Sequence, residues 1–272
     1  TGSSLSQHTR NTLAIGVRHG RLTVAVIEIG NAMKVLEEGS SNEYSNSFRD
    51  IITMVNNLSR PSGAELVSCT YNQIIFVWNA FNPFEDHIRK ACTFVDNCRN
   101  QLQKLKTLWS KQMSDAQMTM HVGLCSSTGY YGNIGSTKQR FFTVFGPVLD
   151  DALHCATVAS EWGVTVVASS SIVQRIENNY MTRPFTTLAN DASFVMYEIG
   201  QAKKVHADEW MYEIEQKESL NKWSPCVKAF ELWQQKKYSE ASKLLVEYLE
   251  KESGDAVAQN MLSLCLEADA AK

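Results

Sequence analysis

Apolar and polar positions alternate along the chain in blocks that predict alternating strands and helices. Residues 22–29 (LTVAVIEI) form a β-branched, largely apolar run that closes at Gly30-Asn31, which predicts a buried strand. Over residues 42–58, Phe48, Ile51, Ile52, Val55 and Leu58 recur at three-and-four spacing, the mark of an amphipathic helix that Pro61-Ser62-Gly63 stops. Two β-type stretches follow, Glu65–Thr70 and Gln73–Trp78, with only Tyr71-Asn72 between them, the spacing of a tight hairpin. The pattern then predicts a helix over 85–105, strands over 118–124 and 141–145, a helix over 147–160 and a short strand over 164–168. Residues 193–199 and the β-prone 209–215 (EWMYEIE) predict a closing hairpin.

After Lys222 the texture changes to helix-forming sequence without a β-rich segment. Helical stretches are expected at Pro225–Lys236 and Ser239–Lys251, with a third beginning near Asp255. A boundary at 218–224 divides an α/β domain (20–217) from an all-helical extension (223–272). Residues 1–19 are an N-terminal segment whose small, polar start (TGSS) is like a tag remnant.

Composition narrows the class. Of 272 residues, 44% are hydrophobic and 20% charged, enough apolar material for a sizeable core. The balance of 26 basic against 29 acidic residues gives a net charge of −3, without the basic excess usual in duplex-binding proteins, so no nucleic-acid partner is expected. No apolar run approaches the ~20 residues of a membrane span. The seven cysteines are an odd set without a Cys-x-x-Cys pair, which favours reduced, mostly buried thiols over a disulfide framework or zinc module. The expected setting is cytoplasmic, alone or as the cytoplasmic part of a larger or membrane-associated protein.

Residues 123–136 (GLCSSTGYYGNIGS), followed by 142–146 (FTVFG), resemble the class III nucleotidyl cyclase catalytic domain, whose pattern is roughly G-I-H-T-G-x-V-x-x-G-N-I-G-S and then Y-T-V-I-G-D-x-V-N-x-A-x-R. Residues 22–30, 63–78, 86–91 and 163–173 match that family's neighbouring segments, so the resemblance covers about residues 20–216. It implies an α+β, ferredoxin-like domain that works as a dimer. The family joins the ribose 3′-oxygen of a nucleoside triphosphate to its α-phosphate with the help of two divalent cations.

At the family's catalytic positions this sequence departs from the pattern. The two metal carboxylates fall on Glu28, one methylene too long, and on Asn72, which is neutral. The base-selecting Lys and its partner fall on Ser68 and Thr143; Thr143 is compatible and Ser68 is too short. The Asp that closes the Y-T-V-I-G-D block is Pro147. The Asn and Arg that meet transition-state charge are Asp150 and His154, an acid that repels phosphate and an imidazole mostly uncharged at pH 7. Hard dications bind chiefly through anionic oxygen, and small displacements of catalytic groups are costly. The resemblance therefore implies a kept scaffold and a discarded catalyst: no catalytic residue, no resident metal, and a role through homodimers or heterodimers with another cyclase-type domain. The alternative is a divergent active adenylyl or guanylyl cyclase using Mg²⁺ or Mn²⁺, and a third possibility is a cleft that binds a nucleotide without turnover.

Residues 236–262 resemble a tetratricopeptide (TPR) unit. Tyr238, Ala241, Leu245, Leu249 and Ala258 fit that pattern, while Lys236, Tyr248 and Ser253 replace its Gly, small residue and Pro. One such unit cannot bury its own apolar faces, so it is expected to pack on the preceding domain or to form part of a partner-binding face. Simpler roles stand beside these. Glu28 and Asp150 suit solvated or capping acids, and Asp150 with His154 an ordinary surface pair. Trp78, Phe81 and Phe84 suit core or dimer-surface packing, and Lys104, Lys106, Lys203 and Lys204 solvated charge. Tyr130-Tyr131 is a strand-end aromatic pair or a partner contact.

Overall fold

The computed structural model describes residues 15–110, 117–188, 191–203 and 209–270, with backbone alone for 209–221. It divides into two compact units, Thr1–Ala156 and Thr157–Lys272.

In the first unit, β1 (Gly16–Gly30) leads into helices α1 (Ala32–Glu38) and α2 (Ser41–Ser62). The hairpin β2 (Glu65–Cys69) and β3 (Gln73–Trp78) follows, then α3 (His87–Trp109), β4 (Thr119–Gly135), β5 (Arg140–Phe145) and the start of α4 (Pro147–Glu161). The strands are antiparallel in the order β2-β3-β1-β4, with β5 on the distal half of β4. Central β1 is apolar on both sides, since Leu22, Val24, Ala25, Val26 and Ile27 are all fully buried. Helix α2 begins where the Ser40 hydroxyl accepts the Glu43 N–H (3.1 Å) and ends at Gly63 in the left-handed region (φ 74°).

Both faces of this sheet are covered close in. On one, a hydrogen bond of 2.7 Å joins Thr23 Oγ1 to His87 Nδ1 at the start of α3, beside an aromatic cluster of Phe76, Trp78 and Phe94. On the other, α4 lies directly against β4. A β-carbon on Gly123 would stand 2.0 Å from the Ala152 carbonyl oxygen, so glycine sets how near the helix comes.

The second unit holds β6 (Val166–Ser169), α5 (Ser170–Ile176), β7 (Tyr180–Leu188), β8 (Asp191–Ala202), α6 (Glu209–Gln234), α7 (Tyr238–Leu249) and α8 (Ala256–Ala270). Strand β8 lies between β6 and β7, antiparallel to both. Here the expected closing hairpin is corrected. The partner of β8 is β7, and residues 209–215 open a helix that runs without a break through 218–224. Trp210, Tyr212 and Ile214 alternate as in a strand, yet no Gly or Pro interrupts 201–224, and the helix-favouring residues 215–222 carry the helical backbone through.

The three C-terminal helices pack on one another, and α6 and α8 also pack on β7. Their seam contains Ala241, Leu245 and Tyr248 of α7 and Val257, Ala258, Met261 and Cys265 of α8, all buried. One guanidinium fastens them to the strands. Arg183 of β7, its side chain 3% exposed, donates through Nε to Glu198 of β8 (2.6 Å) and through both terminal nitrogens to Asp255 (2.7 and 2.8 Å). Asp255 also accepts from Tyr248 Oη (2.8 Å) and caps α8 through the Ala258 N–H (3.0 Å), while Trp223 stacks on the guanidinium at 4.4 Å.

Candidate functional site

The two positions expected to hold metal meet at the C-terminal end of β1. The Ile29 N–H donates to the Asn72 carbonyl (2.7 Å), so the β2–β3 turn sits beside the end of β1. That turn is tied by Thr70, whose N–H donates to the Gln73 carbonyl (2.8 Å) and whose hydroxyl reaches the same oxygen (3.2 Å) and Asn72 Oδ1 (3.3 Å). Tyr44 of α2 braces it further by donating to the Tyr71 carbonyl (3.2 Å). Glu28 is half-buried and lies between Gln73 of β3 and His121 of β4 in register. Sequence reasoning missed both neighbours, because cross-strand pairing is fixed only by the fold. His121 Nε2 is 3.2 Å from Thr119 Oγ1, and the ring lies beside Gly30, where a β-carbon would stand 3.5 Å from it.

The other expected positions are distributed over β2, β5 and α4. Ser68 on β2 is half-buried opposite Ile75, just after a register shift in the hairpin. Thr143 on β5 is half-buried opposite Gly132. Pro147 opens α4, with Asp150 in its first turn and His154 one turn on, all three exposed.

No family model and no curated protein sequence matches the chain. Solved structures do. The adenylyl cyclase CyaB from P. aeruginosa is similar over 71% of this chain and 99% of its own, with a TM-score of 0.63 at 13% identity. The guanylyl cyclase Cya2 gives a TM-score of 0.60 at 12% identity, over 72% of this chain and 98% of its own. A non-canonical dimeric guanylyl cyclase domain from the aquatic fungus Blastocladiella emersonii gives 0.57 at 15% identity, over 68% of this chain and 99% of its own. The chain has the class III nucleotidyl cyclase fold.

Divalent cations in such a cyclase fold need a donor set that this corner does not match. Glu28 supplies one carboxylate and Asn72 a neutral carboxamide, a single formal negative charge toward a pair of dications. Among the described residues, no group of three or more His, Cys, Asp or Glu is placed to hold a metal ion. Asp150 and His154 lie four apart on one helix face with no third ligand to join them. These residues do not fit two metals.

Another acid, unnoticed in the sequence, lies in the same unit. Glu65 opens β2, and its Oε2 is buried without a hydrogen-bond partner. Burial pushes its carboxyl up to about 7, against a hydrogen bond from the Phe81 N–H that pulls it down. Phe81 in turn packs on Phe142 of β5 (4.7 Å) and Tyr131 of β4 (6.2 Å). Trp78, Phe81 and Phe84 therefore point to three different neighbourhoods, with Phe84 near His87 and under Lys90. The seven thiols are free, six of them buried, and burial pushes those of Cys92 and Cys98 well up, toward the inert thiol.

The distal parts of β1, β4 and β5 form an arm with two unlike faces. Tyr131, Asn133 and Val144 are buried on one, with Phe142 half-buried beside them. The opposite face carries Val17 and His19 from β1, Tyr130 and Ile134 from β4, and Phe141 and Phe145 from β5, all exposed. His19, Tyr130 and Phe145 line up across the three strands, with centroids 4.9 and 5.4 Å apart. Phe141 is 56% exposed.

Proposed function

We propose that this chain is a catalytically inactive nucleotidyl cyclase-homology domain with a regulatory or scaffolding role in cyclic-nucleotide signalling. It acts by docking against another domain. The observation that carries this reading is the corner of Glu28 and Asn72: the backbone geometry is present, and the second negative charge is not. Asp150 and His154, where the family meets phosphate charge, support it. A chain altered in both sets of positions would serve either half of a composite site poorly, so its value lies in the scaffold and the surface it presents. Dimer formation by a similar cyclase domain and the apolar outer face of the arm favour action through a partner. No described helix is long and apolar enough to cross a membrane, which suits a cytoplasmic domain. The helical extension, fastened through Arg183, belongs to the same folded body as β7 and β8.

The test is turnover. With ATP or GTP and either Mg²⁺ or Mn²⁺ at high protein concentration, product is expected to stay at the level of a Glu28→Ala control. Cyclic nucleotide formed above that control would refute inactivity.

A further inference from the structure

Where α4 comes down onto β4, two thiols meet. Gly123 and Cys125 alternate onto the same face of the strand. A β-carbon on Gly123 would stand 2.0 Å from the Ala152 carbonyl oxygen and 2.3 Å from the Ala156 nitrogen, so its absence lets the helix approach. That approach sets Cys155 of α4 against Cys125, Sγ to Sγ 3.6 Å, with both residues buried. Other thiols are placed differently. Cys92 and Cys98 stand six residues apart on α3, about 9 Å along its axis. Cys226 meets Arg183 (3.5 Å), and Cys69 is exposed at the end of β2.

We infer that Cys125 and Cys155 are a modification site, which hydrogen peroxide converts to a disulfide that fastens α4 to β4. Each sulfur has to move roughly 0.8 Å to close the 3.6 Å contact to the ~2.05 Å of a bond. The step balances with peroxide alone. One thiol gives up its proton as its sulfur attacks a peroxide oxygen; the O–O bond breaks, a water leaves and a sulfenic acid remains. The second sulfur displaces the sulfenic oxygen, which departs as water with the second thiol's proton. Two thiols lose two electrons in all, and one peroxide is reduced to two waters. A small, uncharged oxidant suits a buried pair, where a bulky disulfide such as oxidised glutathione would have to displace the helix. The hydrogen bond to Cys125 and burial hold the Cys155 thiol protonated. The pair is therefore slow to react, and its oxidation follows local opening of α4. Once formed, the bridge closes a loop over residues 126–154 that contains all of β5 and the distal half of β4. None of this depends on whether the domain turns over a nucleotide.

In the test, the reduced full chain is treated with hydrogen peroxide, raised until the exposed Cys69 is oxidised, and its peptides are mapped without reductant. Peptides carrying Cys125 and Cys155 are expected joined and lighter by two hydrogens. Calorimetric melting of the same sample should rise by about 5–10 °C, the gain of a bridge that closes a loop of this length, and return with dithiothreitol. Cys125→Ser treated alike should show neither change. If that variant folds poorly, Cys155→Ala replaces it, and the wild-type map needs no variant. Free thiols at both positions beside an oxidised Cys69 would overturn the inference. So would sulfinic acid at either position without the link, because the neighbouring sulfur would then be out of reach. A link that left melting unchanged would overturn the fastening of α4.

Discussion

Asp255 and Glu65 are both acids drawn out of water, and the molecule treats them in opposite ways. Burial alone raises a carboxyl, and at Asp255 that effect is outweighed by the hydrogen bonds and charge of Arg183, which hold the group below its ordinary value. Among the described residues Glu65 has one backbone N–H and no cation, so burial prevails and its carboxyl rises to about 7. The first acid is a charged fastener between strand and helix. The second is a neutral or charged group according to pH, at the foot of an aromatic cluster. What separates them most is one guanidinium, helped by the Tyr248 hydroxyl and the Ala258 N–H, and the comparison can be broken by removing it.

The largest effect is expected from Arg183→Leu. It leaves Glu198 and Asp255 without their cation, and loss of one partner from a buried ion pair costs about 3–5 kcal/mol. Urea unfolding measures it, and a loss under ~1 kcal/mol, the scale of a surface pair, would mean the cluster is not a buried fastener. The sign with pH follows from the depressed Asp255 carboxyl: its contribution is present above the ordinary value and is lost as pH falls through the folded one. Arg183→Leu should therefore also reduce this part of the acid destabilisation.

Glu65→Gln comes next, with the opposite slope. Because the folded carboxyl is raised, its contribution to stability is complete below about 4.5 and is lost as pH rises through about 7. Wild type should melt roughly 2–4 °C lower at pH 8 than at pH 5 on this account, and the Gln variant should show no such drop. Equal slopes in the two proteins would place the pH dependence elsewhere.

The smallest effect concerns Lys236, which takes a left-handed backbone (φ 62°) just before α7, where the TPR pattern has Gly. Removing ~1 kcal/mol of left-handed strain while adding glycine's unfolded-state freedom leaves a net gain of about 0.5 kcal/mol for Lys236→Gly. Calorimetric melting checks this. The helices fastened by Arg183 should gain little from it, since their hold depends mainly on charge.

Local pattern made much of the fold legible. The β2–β3 hairpin was readable because two β-rich runs flank a two-residue turn, and α2 because its apolar spacing ends at Pro61-Ser62-Gly63. Strand β7 was not readable: Arg183 and Pro184 interrupt its apolar pattern, and only the fold pairs it with β8. Residues 209–215 misled because their alternation belongs to a strand while their backbone is helical. The first third of β1 was missed because Gly16, Arg18, His19 and Gly20 carry no strand pattern, and pairing with β4 orders them. At the site, the positions from Glu28 to His154 came from a motif. His121 and Glu65 did not, since what matters about them is which strand or loop lies opposite.

Strands β1 and β4 stay in step over fifteen pairs, from Gly16 opposite Asn133 to Gly30 opposite Thr119, without a shift. Side chains alternate between faces at every residue, so one amino acid inserted in the middle of either strand would turn everything beyond it inside out. Val17 and Tyr130 would no longer share a side, and the apolar row at the arm would be exchanged for its polar or buried neighbours. Variation in this stretch is thus confined to substitution, or to gains and losses in twos.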